Sequence, residues 1–75
     1  HVLVIPKRHI ATLADIGPGD QELMGRMLAL APRLMRELGV DNGFRTLINT
    51  GKDGMQEVYH LHMHVIGGPR PWAKG

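Results

Sequence analysis

The segment YHLHMHVIGG, residues 59–68, places a histidine at every second position. Successive side chains of a β-strand point to opposite faces, so His60, His62 and His64 would share one face. The side chains between them are mostly apolar and would face the core: Tyr59, Leu61, Met63 and Val65. The alternation therefore predicts a strand from Val58 to Ile66 with one buried face and one histidine face.

Two further strands are indicated on the N-terminal side of this segment. HVLVI, residues 1–5, is rich in β-branched residues, and Pro6 after it cannot donate to a sheet. Residues 44–49 predict a second strand. A Gly-rich loop of about eight residues would join that strand to the histidine strand, which favours an antiparallel hairpin with a longer loop than a tight turn needs.

One long helix is predicted over residues 18–38. A proline and two acidic residues stand near its start, and Gly39 is suited to the position after its end. Apolar residues recur at helical spacing, as expected for a helix with one buried face: Leu23, Met24, Met27, Leu28, Ala31, Leu34, Met35 and Leu38. Pro32 predicts a kink or break near residues 28–31, because it removes a hydrogen bond and clashes one turn back.

The composition excludes several classes of protein. The 75-residue chain has no cysteine, so disulfides and thiolate chemistry are ruled out. Its 9 basic and 7 acidic residues are interspersed, without the basic stripe of a nucleic-acid-binding surface, and no apolar run could cross a bilayer. We therefore expect a cytoplasmic protein with no nucleic-acid or membrane partner. The chain begins at His1 with a strand-like segment, which indicates that upstream strands are missing.

Three explanations compete for the alternating histidines. They could be ordinary polar surface residues, or two neighbours could share a zinc ion. Three zinc ligands from one strand would need an unusual bend, and further ligands would have to come from His1, His9 or acidic residues. Nucleophilic catalysis explains the pattern better, because a neutral imidazole offers a lone pair at pH 7 while its neighbours orient it and deliver a proton.

The sequence also resembles a known family. HLHMHVIGG, residues 60–68, is similar to the His-φ-His-φ-His-φ-φ signature (φ, apolar) of the histidine triad, or HIT, family. The flanking segments HVLVIPKRHI, GFRTLINTG and GMQEVY resemble the branch of nucleoside phosphoramidases called Hint proteins. This resemblance implies an α+β HIT-like fold, with one long helix packed on an antiparallel sheet. It implies a single HIT domain over residues 1–75 that lacks its N-terminal strands, and a homodimer with one continuous sheet.

The resemblance also implies an activity and roles for the histidines. The reaction would be cleavage at the α-phosphorus of adenosine 5′-phosphoramidates, releasing AMP and an amine. No cofactor would be required, although zinc could bind. His62 would be the nucleophile that forms a nucleotidyl-histidine intermediate, and His64 would contact the phosphate and the leaving group. His60 would fix the nucleophile through its backbone carbonyl, and His1 would be a buried supporting imidazole.

The phosphate site and the tail follow from the same resemblance. Asn49 would donate to the phosphate, and Met55, Gln56 and Glu57 would present backbone N–H groups to it. Met55 stands where the family often has glycine, which constrains the backbone, and the Glu57 carboxylate should turn outward because it would repel a phosphate. Trp72 resembles a tryptophan that reaches toward the partner subunit's site.

Two alternative functions stay open at this point. One is hydrolysis of dinucleoside polyphosphates, which would use the same nucleophile. The other is a non-catalytic role as a nucleotide-binding or zinc-binding interaction protein, which the histidines would permit. In each case a purine nucleotide would be the expected small-molecule partner.

Overall fold

Three short strands and one long helix make up the structure, a computed structural model that describes residues 1–69. The element order along the chain is strand β1, two single-turn 3₁₀ helices, helix α1, and strands β2 and β3. Their bounds are Val2–Val4 for β1, Leu13–Asp15 and Pro18–Asp20 for the 3₁₀ turns, Gln21–Glu37 for α1, Phe44–Leu47 for β2 and Met63–Gly67 for β3. Trp72 lies outside the described residues.

The strands form one antiparallel sheet in the order β1-β3-β2, so the histidine-bearing strand is central. Val2 pairs with Val65 at one end of the β1 ladder, and Thr46 pairs with the same Val65 from β2. The strand with the most conspicuous sequence pattern is thus hydrogen-bonded on both sides. The predicted α+β fold, with an antiparallel sheet and one helix packed on it, is confirmed.

The core lies between one face of the sheet and one face of α1. Met27, Ala31 and Met35 are buried one helical turn apart, as a 3.6-residue period requires. They pack against Val4 of β1 and against Met63 and Val65 of β3 in one apolar cluster. Because burying a side chain of this size stabilises by about 1.5–3 kcal/mol, this cluster is what holds the histidine strand against the helix.

The helix differs from the expectation at Pro32. Of the kink or break predicted near residues 28–31, the break does not occur, since α1 runs from Gln21 to Glu37 with the proline inside it. The kink stays a prediction. The proline removes one backbone donor, while the buried face keeps packing on both sides of it. Gly39 has φ +77° just beyond the helix end, as predicted for that position. In the described residues, no helix is long and apolar enough to cross a membrane.

The histidine strand starts later than predicted. β3 begins at Met63 instead of Val58, and residues 48–62 form a connection longer than the expected loop. The reason is a long-range contact: the Leu61 N–H donates to the Ile10 carbonyl at 2.6 Å. Residues before Met63 are therefore held by the irregular segment that follows β1 instead of by a sheet partner.

Candidate active site

The three histidines keep the alternation that the sequence predicts. Leu61, Met63 and Val65 are buried, whereas His60, His62 and His64 are each half-buried. The burial pattern thus persists through residues 60–62, which precede β3. Tyr59 is the exception, because it was expected on the core side and is 49% exposed.

The side chain of His62 is fixed by a contact to the backbone two residues before it. Its Nδ1 lies 2.7 Å from the backbone carbonyl oxygen of His60. A carbonyl can only accept, so Nδ1 carries the proton and Nε2 of a neutral ring keeps its lone pair. This is the contact that the expected role of His60 requires, and it leaves His62 with one nitrogen able to attack an electrophile.

His64 stands beside His62 and is contacted by His1. The ring centroids of His62 and His64 are 5.1 Å apart, and Nδ1 of His64 lies 2.9 Å from Nε2 of His1. One of these two nitrogens must donate to the other. His1 was expected to be buried, and this is wrong: it is exposed, because it precedes the edge strand β1 and reaches His64 from the end of that strand.

The sheet places apolar side chains on both sides of His64. Leu3 of β1 and Leu47 of β2 are its register partners, so all three side chains share the histidine face. Leu3 is 50% exposed. A group that contacted His64 would therefore also contact the apolar side chains of Leu3 and Leu47 on the neighbouring strands.

The ring of His60 is held by a different part of the chain from the rings of His62 and His64. Its Nε2 lies 3.0 Å from the carbonyl oxygen of Pro6, so Nε2–H donates to that carbonyl. The ring of His9 contacts the ring of His60, with centroids 5.0 Å apart and planes at 89°. Of the three histidines, His60 thus contributes its carbonyl to the site while its ring contacts the segment after β1.

The turn over residues 51–55 bears on the expected phosphate site. The amide of Met55 donates to the Lys52 carbonyl and that of Gln56 to the Gly51 carbonyl, both at 3.0 Å. Two of the three amides expected to face a phosphate are therefore engaged within the turn. The third belongs to Glu57, whose side chain is exposed, in line with the outward orientation expected for it.

Asn49 is directed into the same turn. Its Nδ2 donates to the Gly54 carbonyl at 2.8 Å, which leaves the second N–H of the amide group for another acceptor. A Cβ atom at Gly54 would overlap the backbone of Thr50, so this close approach requires glycine. Met55 has φ +62° and a side chain that is 79% exposed. Asn49 therefore stabilises the turn through one N–H, and its second N–H could donate to a ligand.

The side chain of Gln56 was not expected to matter, yet among residues 1–69 it is the buried polar one. Its Oε1 accepts from the Gly51 N–H at 2.9 Å. Its Nε2 donates to the carbonyls of Ala11, at 2.8 Å, and Val58, at 3.0 Å. One side-chain amide thus joins the turn, the residues just after it and the segment that follows β1. The sequence signal for this role was a polar residue between the turn that contains Gly51 and Gly54 and the histidine-bearing segment.

Residues 6–11 were not expected to be part of the site. Pro6 and Ile10 each supply a carbonyl to the histidine-bearing segment, and His9 supplies a ring. The carbonyl of Ala11 accepts from the side chain of Gln56. His9 was considered only as a zinc ligand. Within the described part of the chain, no group of three histidine or carboxylate side chains is arranged to hold a metal ion.

Comparison with known proteins places this geometry in a family. The model of the HIT domain family matches residues 1–70. Protein HitA of Neisseria gonorrhoeae is 49% identical over 69 residues, which are 92% of this chain and 64% of that protein. A HIT family hydrolase from Legionella pneumophila is 42% identical with a TM-score of 0.85, over 91% of this chain and 62% of that one.

The chain is also similar in structure to a histidine triad protein from Clostridium difficile. It is 38% identical with a TM-score of 0.85, over 91% of this chain and 60% of that one. The chain thus spans less than two thirds of the length of each of these three proteins. Because the family model covers nearly the whole sequence, the chain belongs to the HIT domain family.

Proposed function

We propose that this protein is a nucleotide hydrolase that cleaves adenosine 5′-phosphoramidates at the α-phosphorus through a nucleotidyl-histidine intermediate on His62. The observation that carries the proposal is the 2.7 Å contact between Nδ1 of His62 and the carbonyl of His60. It fixes the tautomer and aims Nε2 away from the backbone. Membership of the HIT family, and the Legionella protein described as a HIT family hydrolase, support the assignment.

The proposed first step transfers the nucleotidyl group to the enzyme. The Nε2 lone pair of His62 attacks the α-phosphorus, a P–N bond to histidine forms, and the P–N bond to the leaving amine breaks. The departing nitrogen takes a proton from a neighbouring acid, a role that we assign to His64. The ring centroid of His64 lies 5.1 Å from that of His62, which supports this assignment. As the His62 ring becomes cationic, the His60 carbonyl that accepts from Nδ1–H stabilises the charge.

The second step releases AMP. A water molecule attacks the phosphorus of the adduct, the P–N bond to His62 breaks, and the imidazole regains its neutral form with the proton on Nδ1. His64, deprotonated in the first step, accepts a proton from the water. His1, with Nε2 at 2.9 Å from Nδ1 of His64, orients that ring for both transfers.

The phosphate oxygens would be held by groups at the turn. The second N–H of Asn49 and the amide of Glu57 are the donors we assign, while the amides of Met55 and Gln56 would have to share their present hydrogen bonds. We assign no metal to the reaction, since the nucleophile and the proton donor are side chains. We also propose a purine nucleotide as ligand, a homodimer as the working form and the cytoplasm as location.

A trapping experiment tests the nucleophile. The full-length protein is mixed with a lysyl or aminoacyl adenosine phosphoramidate, quenched within milliseconds, and the mass of the peptide that contains residues 60–68 is measured. We expect AMP release and an adenylyl adduct on that peptide. Replacement His62→Ala should remove both, lowering turnover by at least about a thousandfold, the scale seen when a nucleophile is deleted.

The matched control is Arg33→Ala on the exposed side of α1. Arg33 pairs with Glu37 at 3.3 Å in an exposed contact that contributes little, so this variant should keep wild-type turnover. Turnover that survives His62→Ala would refute the proposal. Rates on a phosphoramidate and a diadenosine polyphosphate, measured side by side, decide whether the amine-linked substrate is preferred, as we propose.

A further inference from the structure

His9 lies outside the histidine triad, yet its ring contacts a triad member. The rings of His9 and His60 meet at a centroid distance of 5.0 Å with planes at 89°. This perpendicular arrangement is a favourable geometry for ring pairs, and it fixes the side chain that contacts it. His9 is exposed, so the contact is not a by-product of core packing.

The backbone on both sides of His9 is anchored to the triad segment. Before it, the Pro6 carbonyl accepts from Nε2 of His60 at 3.0 Å, and after it, the Ile10 carbonyl accepts from the Leu61 N–H at 2.6 Å. Pro6 and Ile10 are themselves buried. The ring of His9 therefore approaches His60 from a segment whose position is already set.

One peptide group connects these contacts to the nucleophile. The carbonyl of His60 and the N–H of Leu61 belong to the same planar unit and point in opposite directions. The N–H is held by Ile10, and the carbonyl accepts from Nδ1 of His62 at 2.7 Å. Any rotation of this unit would move the carbonyl and with it the direction of the His62 ring.

We propose that His9 is a positioning residue for the nucleophile. Together with the Pro6 carbonyl, it holds the ring of His60, and the fixed His60 keeps its carbonyl in line with Nδ1–H of His62. This inference rests on the proposed function, in which His62 attacks the phosphorus. His9 itself touches no reacting atom in this arrangement, so it acts only through His60.

The test compares three variants of the full-length protein: His9→Ala, His9→Phe and, as a control, Lys7→Ala at an exposed neighbouring position. We expect His9→Ala to lower kcat by about tenfold with KM within about twofold, because misplacing a reacting atom is costly in the transition state. His9→Phe keeps an aromatic ring against His60 and should recover most of kcat. Lys7→Ala should match the wild type.

A second measurement reads the geometry without substrate. The Nδ1–H proton of His62, observed by NMR, should exchange with solvent at least about fivefold faster in His9→Ala than in the wild type, since the His60 residue that carries its acceptor loses one of its contacts. Unchanged exchange together with unchanged kcat would overturn the inference, as would a His9→Phe variant no better than His9→Ala. If the wild type lacks phosphoramidase activity, the proposed function fails, and the exchange rate alone decides on His9.

Discussion

Replacing Gln56 by leucine should destabilise the protein and detach the turn from the segment after β1. The side chain is 8% exposed and makes three hydrogen bonds, to the Gly51 amide and the carbonyls of Ala11 and Val58. Leucine has a similar size and no polar atoms. All three backbone partners would lose their hydrogen bonds while the apolar packing is largely kept.

The size of the effect follows from those three partners. A hydrogen bond contributes about 0.5–1.5 kcal/mol net, so the sum is about 1.5–4.5 kcal/mol if none of the three is replaced by water. For a domain of this size, 1 kcal/mol shifts the thermal midpoint by about 4–8 °C. We therefore expect a decrease of at least about 6 °C for Gln56→Leu.

The assay is urea and thermal unfolding of the full-length protein, followed by circular dichroism. The matched control is Lys52→Ala in the same turn, because the Lys52 side chain is exposed and only its carbonyl is used. A loss below about 0.5 kcal/mol for Gln56→Leu, equal to that of the control, would refute the reasoning. It would mean that water satisfies the three partners as well as the amide does.

Two further predictions concern backbone positions that carry a conformational cost. Met55→Gly should raise the free energy of unfolding by about 0.5–1 kcal/mol, because φ +62° is unfavourable for methionine and its side chain is 79% exposed. A lower free energy of unfolding for this variant, measured by urea denaturation, would contradict this. Pro32→Ala should raise it by about 1–2 kcal/mol, because it restores a helix hydrogen bond at the expense of a more flexible unfolded chain. An unchanged thermal midpoint for Pro32→Ala would contradict this prediction. It would show that packing of the half-buried proline ring stabilises the protein as much as the restored helix hydrogen bond does.

The local patterns predicted the faces of the elements well. The alternation of residues 60–65 predicts which side chains are buried because a strand has only two faces. The helical spacing likewise predicts that Met27, Ala31 and Met35 are buried, whereas Leu28 and Leu38, expected on the same buried face, are exposed. These features depend on the periodicity of the backbone within a single element, so they can be predicted from that segment of the sequence alone.

The features that were missed depend on contacts between distant segments. The late start of β3 follows from the contact between Ile10 and Leu61, and neither residue is unusual in sequence. The burial of Gln56 follows from a carbonyl at Ala11 that only the fold brings near. The continuous helix at Pro32 reflects tertiary packing that outweighs a local penalty. The exposed ring of His1 could not be predicted from a resemblance to longer proteins.

The order of the sheet has a consequence for the synthesis of the protein. Of the three strands described, β1 leaves the ribosome first and β3 last, yet Val2 pairs with Val65. The pairing closes nearly the whole described chain into one loop, and such non-local contacts form slowly. His1 and His64 meet only when that loop closes. A nascent chain that has not yet released β3 therefore has the helix and β1 but not the contact between His1 and His64, so the candidate site is assembled only after β3 has been synthesised.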